Sequence, residues 1–325
     1  MKHLCSLLLR YGISLLCLLY AFRGVPLTDL WAILYRFPAG PMVMTVLVSF
    51  LAYAAMAVRL TRMRRPGLPF RTAFCASLAG LALNNVLPAK AGEVAKAAWI
   101  GRECGLSWDE SLGIVFMERF FDVNVLALLS LWFLWELGQK GAALTLVLCL
   151  AAGWSVLFLF RRQPGWARFW EHLPLPARAA GFLVRFTLAL VDQASLPGLA
   201  WMTFSSLSLW ALYALQIGVA LNGAAGLGLE WSEALGVFAL SSLGMLLPSS
   251  PGALGVYEAV AVAALIAYGT PRDQALAAAL FMHMAQFIPV TLAGGLVLLL
   301  FPGRARKADP DEPCRPVGTA RRKEL

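Results

Sequence analysis

Glu118, Arg119 and Asp122 sit in an apolar stretch, residues 110 to 135 of a 325-residue chain. If a helix starts near Asp109, Glu118 lies roughly 13 Å along it at about 1.5 Å per residue, near the middle of a hydrocarbon layer about 30 Å thick. Charges at that depth cost on the order of 2.5 to 3.5 kcal/mol each on insertion scales, and they mark function by default. Glu118 and Asp122 are four residues apart and share a helix face, so they can act together on a cation or a polar ligand. The plainer reading is a buried ion-pair cluster of Glu118, Arg119 and Lys90 or Lys96; the two readings are compatible.

A second set of polar residues interrupts the preceding apolar run at "NNVLPAKAGEVAKAAW", residues 84 to 99. Lys90 and Glu93 follow Pro88 and are expected in the first turn of a returning helix, where free N–H groups and the positive end of the dipole suit an anion such as a phosphate. Asn84 and Asn85 either cap that helix start or hydrogen-bond the ligand. Ser249, Ser250 and Gly252 of "LPSSPGALG" form a similar polar tip without a cation, and Glu258 is expected to pair with Arg119 or Lys90. His283 titrates near neutral pH and so can carry a proton, with Gln286 one turn later. Against these roles stands the simpler one, in which the residues satisfy the tips and pack the helices.

The elements that must hold these groups are membrane helices. Hydrophobic residues make up 60% of the chain and charged residues 14%, whereas soluble domains are about 45 to 50% apolar. Apolar segments of about 20 residues, enough to span hydrocarbon, run near 4–22, 40–58, 110–135, 141–160, 198–221 and 274–301. Two further stretches, 72–100 and 233–268, are broken in the middle by Pro and Gly. The six cysteines include no CxxC pair and are expected to behave as small hydrophobes, without disulfide or metal roles. No P-loop, HExxH, GxSxG or GxGxxG motif occurs, which argues against ATP-driven pumping and familiar hydrolases.

The net charge of +9 does not call for nucleic acid, because its placement follows the excess of Lys and Arg in cytoplasmic loops. If 72–100 enters and returns on one side, twenty basic residues fall inside, four outside (Arg23, Arg36, Lys140, Arg272) and three within the membrane (Lys90, Lys96, Arg119). The inside set includes Arg59, Arg62, Arg64, Arg65 and Arg71, the Arg161–Arg185 group and the tail. The same logic makes 233–268 a second hairpin. The expected fold is an all-α polytopic membrane protein with six spanning helices, two re-entrant helical hairpins in an inverted repeat, and both termini cytoplasmic. Residues 1–301 form the transmembrane domain, with repeat halves at about 70–135 and 233–301 and an amphipathic cytoplasmic loop at 161–195. Residues 302–325 are a disordered basic tail, and the basic loops meet anionic lipid.

The repeat rests on two matches. "LPAKAG" (87–92) parallels "LPSSPG" (247–252), and "GLSWDESLGIVFMERFFD" (105–122) parallels "GTPRDQALAAALFMHMAQ" (269–286) without a gap, placing Arg119 on His283 and Asp122 on Gln286. Inverted repeats around broken helices are a common transporter construction.

These blocks, N-x-x-L-P-x-x-x-G-E, E-R-x-x-D and P-G-x-x-G-x-x-E, resemble the flippase-like integral membrane family represented by the transmembrane domain of lysylphosphatidylglycerol synthases. The resemblance covers nearly the whole chain. It implies movement of a lipid between leaflets and a role for Asn85, Pro88, Gly92, Glu93, Glu118, Arg119, Asp122, Pro251, Gly252, Gly255 and Glu258. "SSPGALG" replaces the family's more usual Gly-rich version, and no aminoacyl-transfer domain follows residue 301, so no synthesis of aminoacylated lipid is expected. The leading expectation is a translocator of a polar- or phosphate-headed lipid (phospholipid, glycolipid, polyprenyl lipid or hopanoid) in the cell membrane, with no cofactor, no catalytic residue and no metal. A membrane-embedded lipid-modifying transferase, or a scaffold for lipid or glycan biosynthesis enzymes, is the alternative.

Overall fold

The computed structural model describes residues 2–63, 67–136, 138–245 and 249–301, with backbone alone for 2–10, Ala89 and Glu136. The expected disordered tail 302–325, Leu247 and Pro248 of the second tip, and Arg64 and Arg65 of the first basic cluster lie outside the described residues.

Among the described residues the chain is all helix, with no strand. Twelve α-helices follow in order: α1 Lys2–Phe22, α2 Leu27–Tyr35, α3 Ala39–Thr61, α4 Phe70–Val86, α5 Ala91–Cys104, α6 Trp108–Glu136, α7 Lys140–Arg162, α8 Ala177–Gln193, α9 Leu196–Gly218, α10 Trp231–Gly244, α11 Val256–Ala267 and α12 Arg272–Leu300. Four described helices are long and apolar enough to cross a membrane: α3, α7, α9 with its π-helical extension to Ala224, and α12. The pair Tyr11–Phe22 and Leu27–Tyr35, bent by 76°, makes a fifth if it counts as one span. The bend falls at Gly24, in the left-handed region with φ 73°, and Pro26. α6 is 29 residues long but misses the apolar threshold, because Asp109, Glu110, Glu118, Arg119 and Asp122 lie along it. Exposed leucines line α1 (Leu15, Leu16, Leu19), α7 (Leu144, Leu148) and the end of α12 (Leu292, Leu296, Leu299), as expected of lipid-facing surfaces. This is a multi-pass membrane protein.

The chain forms two compact units. The first comprises Met1–Ala52, Leu81–Ala91 and Trp210–Ala293. In it α11 packs against both α10 and α1. The start of α12 brings a run of small residues, Ala275 and Ala277 to Ala279, to full burial beside Leu276 and Met282. Two short 3-10 turns, Pro88–Lys90 and Pro251–Ala253, pack against each other in this unit.

The second unit comprises Tyr53–Gly80, Gly92–Leu209 and Gly294–Leu325. α6 runs through it, packed by α7 and α8, over a core that includes Leu60, Ile100, Ile114, Met117, Phe121 and Met202. The 161–195 stretch is a 3-10 segment, Pro164–His172, followed by α8. It is tied down by Trp170 Nε1 donating to Thr187 Oγ1 at 3.0 Å and by Arg185 to Asp109 at 3.3 Å. Cys17, Cys75 and Cys149 are free, but Cys104 is disulfide-bonded. That corrects the expectation for the cysteines: Cys104 is the last residue of α5 rather than part of an apolar span.

Matched positions recur at a nearly constant spacing. α6 and α12 each have 29 residues and begin and end 164 apart, and each follows a left-handed glycine, Gly105 or Gly269. α4 meets α5 where Gly80 faces Lys96; α10 meets α11 where Gly244 faces Val260, again 164 further on. The 3-10 turns are 163 apart, and each ends on a non-glycine residue with positive φ, Lys90 (53°) and Ala253 (56°). By this spacing Pro88 falls opposite Pro251, and the offset between the turns and the following helices is one residue rather than four; Leu247 and Pro248 of the first sequence match lie outside the described residues.

Candidate functional site

In the second unit the deep charges of α6 are held by a residue that the sequence reading assigned to a cytoplasmic loop. Arg59, near the end of α3, has no solvent exposure. Its Nη1 donates to Asp122 Oδ1 at 2.6 Å and to Ser206 Oγ at 3.0 Å, and its Nη2 donates to Glu118 Oε1 at 3.0 Å and Asp122 Oδ2 at 3.2 Å. Glu118 and Asp122 grip this one guanidinium because four residues of helix bring them to the same face. Lys96 of α5 reaches Glu118 Oε2 at 2.6 Å, and Trp201 Nε1 caps the backbone carbonyl of Arg59 at 3.1 Å. Arg59 Nε is buried with no hydrogen-bond partner among the described residues.

Arg119 forms the accessible edge of this cluster. Its side chain is 37% exposed, with Nη2 at 3.1 Å from Asp122 Oδ2 and Nε at 3.7 Å from Glu93 Oε2. Three cations (Arg59, Lys96, Arg119) thus meet three carboxylates (Glu93, Glu118, Asp122). A cluster with no formal net charge is the arrangement that a low-dielectric site tolerates, since each ion would otherwise carry a desolvation cost of several kcal/mol.

The first unit contains the other expected residues. Glu258 does not pair with Arg119 or Lys90: its Oε1 lies 2.6 Å from His283 Nδ1, and both side chains are buried. The reason is local. Glu258 is the third residue of α11 and its Oε2 accepts the Gly255 N–H at 2.7 Å, which turns the carboxylate toward α12. The rings of Tyr257 and Phe287 flank the imidazole at 4.5 and 5.9 Å between centroids.

Asn84 and Asn85 lie in the last turn of α4 and do not cap α5, whose preceding turn has Leu87 at its N-cap without a side-chain bond. Asn85 instead donates to Thr291 Oγ1 at 2.8 Å and Phe287 O at 3.4 Å on α12. Lys90 is exposed and sits in the 3-10 turn, one step before α5 rather than in its first turn; Glu93 is in the first turn. Ser250 donates its N–H to Ser14 Oγ at 2.9 Å and its hydroxyl to Leu254 O at 3.1 Å. Gly252, with φ 66°, leaves room for Phe287, which an added Cβ would meet at 2.4 Å. Ser249 and Gln286 are partly buried.

Two acid–base contacts, Glu93–Arg119 and Glu258–His283, fall at matched places. Glu93 and Glu258 are each the third residue of the helix that follows a 3-10 turn, and Arg119 and His283 are 164 residues apart on α6 and α12. Sequence reasoning missed Arg59 and Ser206. One weak signal was present: Leu60 follows Arg59, so the apolar character of the segment does not stop at the arginine. Among the described residues no group of three or more His, Cys, Asp or Glu is arranged to hold a metal ion.

No curated protein matches the chain. Residues 7–294 match the family model described as the lysylphosphatidylglycerol synthase TM region. With nearly all of its helical body inside that match, the chain belongs to the lysylphosphatidylglycerol synthase TM-region family.

Proposed function

We propose that this protein is a lipid translocator, which moves a polar- or phosphate-headed membrane lipid between leaflets while its tails stay in the bilayer. The observation that carries the reading is the cluster of six charges on otherwise apolar helices, in which only Arg119 and, to a lesser extent, Glu93 and Asp122 reach solvent. Because the cluster is already balanced, a head group binds by exchanging partners. A phosphate takes over Arg119, and an amine or sugar hydroxyls take over the carboxylates that Arg119 releases. The buried Arg59 Nε–H offers a further donor.

The proposed architecture has six spans, with α6 as the charged one, and two re-entrant hairpins, α4–α5 and α10–α11, in an inverted repeat. The matched turns, helix crossings and acid–base pairs support it. The proposed location is the cell membrane, with both termini cytoplasmic, anionic lipid at the basic loops, and lipid or glycan biosynthesis enzymes as partners. A carrier is favoured over a lipid-modifying transferase because Glu118 and Asp122 are each bound to the Arg59 cation, which holds both back from acting as a general base.

The test is reconstitution into vesicles with leaflet exchange measured separately for a phospholipid, a glycolipid, a polyprenyl lipid and a hopanoid. At least one class should exchange faster than in protein-free vesicles, and Arg119→Ala should slow it while the protein stays folded. Exchange at the protein-free rate for all four classes overturns the reading.

A further inference from the structure

The two matched acid–base pairs differ in one chemical respect. Glu93 faces Arg119, whose guanidinium does not deprotonate in proteins. Glu258 faces His283, whose imidazole, unlike a guanidinium, can exist with or without its second proton. The first pair keeps a formal charge of zero at any working pH. The second is neutral with the imidazole protonated and carries one negative charge without that proton.

We infer that the Glu258–His283 pair is a proton-binding site that couples leaflet exchange to a proton gradient; this rests on the translocator reading. Three observations carry it. The pair is shut off from water, with side-chain exposures of 1% and 5%, so a proton enters or leaves only when the surrounding packing opens. The same Glu258 carboxylate holds the Gly255 N–H with its other oxygen. Gly255 sits at φ 89° with its Cα so close to Ser14 that an added Cβ would lie 2.3 Å from the Ser14 carbonyl oxygen. Gain or loss of the proton is therefore felt by the turn, by α11 and by α12 at once. A change of net charge in a buried site changes its desolvation cost, and a difference in that cost between two conformations shifts the balance between them.

Other titratable groups lie on the packed elements. The Tyr257 ring is tilted by 31° against the imidazole. α1 has Tyr11, Cys17 and Tyr20 among its described side chains, α10 has Glu233 in its first turn, and the facing turn has Lys90. α12 begins with Arg272 and Asp273, about ten residues before His283, and Arg272 is spent on the Tyr20 carbonyl and ring. The proton balance is simple. One proton passes from water on one side to the imidazole and from there to water on the other side, and no other bond is made or broken.

The experiment uses the full chain in phosphatidylcholine vesicles with short-chain fluorescent phospholipids of anionic and zwitterionic head group, exchange being read by chemical quenching of the outer leaflet. The expected result is a several-fold difference in exchange rate with and without a pH gradient, and a shift in trapped-dye pH that accompanies exchange. In His283→Arg, which copies the matched Arg119, and in Glu258→Gln, the ratio of the two rates should fall to one. A wild-type ratio of one overturns the proton coupling and leaves the translocator reading intact. A wild-type ratio retained in folded His283→Arg or His283→Gln overturns the assignment to this pair. Protein-free rates for these phospholipids and also for the glycolipid, the polyprenyl lipid and the hopanoid overturn the translocator reading, and this inference with it.

Discussion

Arg59 is the residue whose loss should do most damage. It has no solvent exposure and contacts two buried carboxylates, and removing one partner of a buried ion pair costs about 3 to 5 kcal/mol. Arg59→Ala should therefore unfold at much lower temperature in detergent than the wild type. Arg62→Ala, which loses only a cation–π contact to Trp201 at 4.4 Å, should cost about 0.5 to 1 kcal/mol. Equal melting temperatures for the two variants would contradict the buried network. Glu118 and Asp122 were visible in the sequence because charges stand out against apolar neighbours, and Lys96 was visible as one of their possible partners. Arg59 was hidden because Arg62, Arg64 and Arg65 follow it closely, and a basic run at a helix end reads as a loop. Glu258 was recognised as a buried acid but given the wrong partner, because its pairing with His283 depends on how α11 leaves its turn.

The turns on either side of α11 depend on glycines that differ in kind. Gly255 and Gly269 both have φ above 80°, where any L side chain is strained by about 1 to 3 kcal/mol. At Gly269 an added methyl meets nothing within 4 Å, whereas at Gly255 it meets the Ser14 carbonyl at 2.3 Å and Leu18 at 3.0 Å. Gly269→Ala should fold with a modest loss in melting temperature, and Gly255→Ala should lose much more or fail to accumulate; comparable losses would mean that α1 does not pack against this turn. That both apolar runs break into two helices was legible from the Pro and Gly inside them. Their register was not, since Pro248 and Pro251 are equally good turn residues by type, and that Pro251 opens a 3-10 turn is seen only in the backbone. The 76° bend after Phe22 also escaped sequence reading, because the nine residues of α2 are too few to register as a span.

Charge placement over the whole chain predicts its orientation, and burial of Arg59 tests how robust that prediction is. Moving Arg59 from the inner side into the membrane leaves nineteen basic residues inside, four outside and four within. The asymmetry that orients membrane proteins therefore survives the correction. α7 has 23 residues, about 34 Å at 1.5 Å per residue, enough to cross a core of about 30 Å. Its two ends, the exposed Gln139 and Gln163, must then face opposite sides. If α4 and α5 form a hairpin that returns to its own side, Gln163 beside Arg161 and Arg162 is cytoplasmic and Gln139 is outside. With the native cysteines replaced, Gln139→Cys should react with a membrane-impermeant maleimide on intact cells. Gln163→Cys should react only after permeabilisation. The reverse pattern would place Arg161 and Arg162 outside against the charge rule, and would mean that α4 and α5 together cross the membrane once instead of returning.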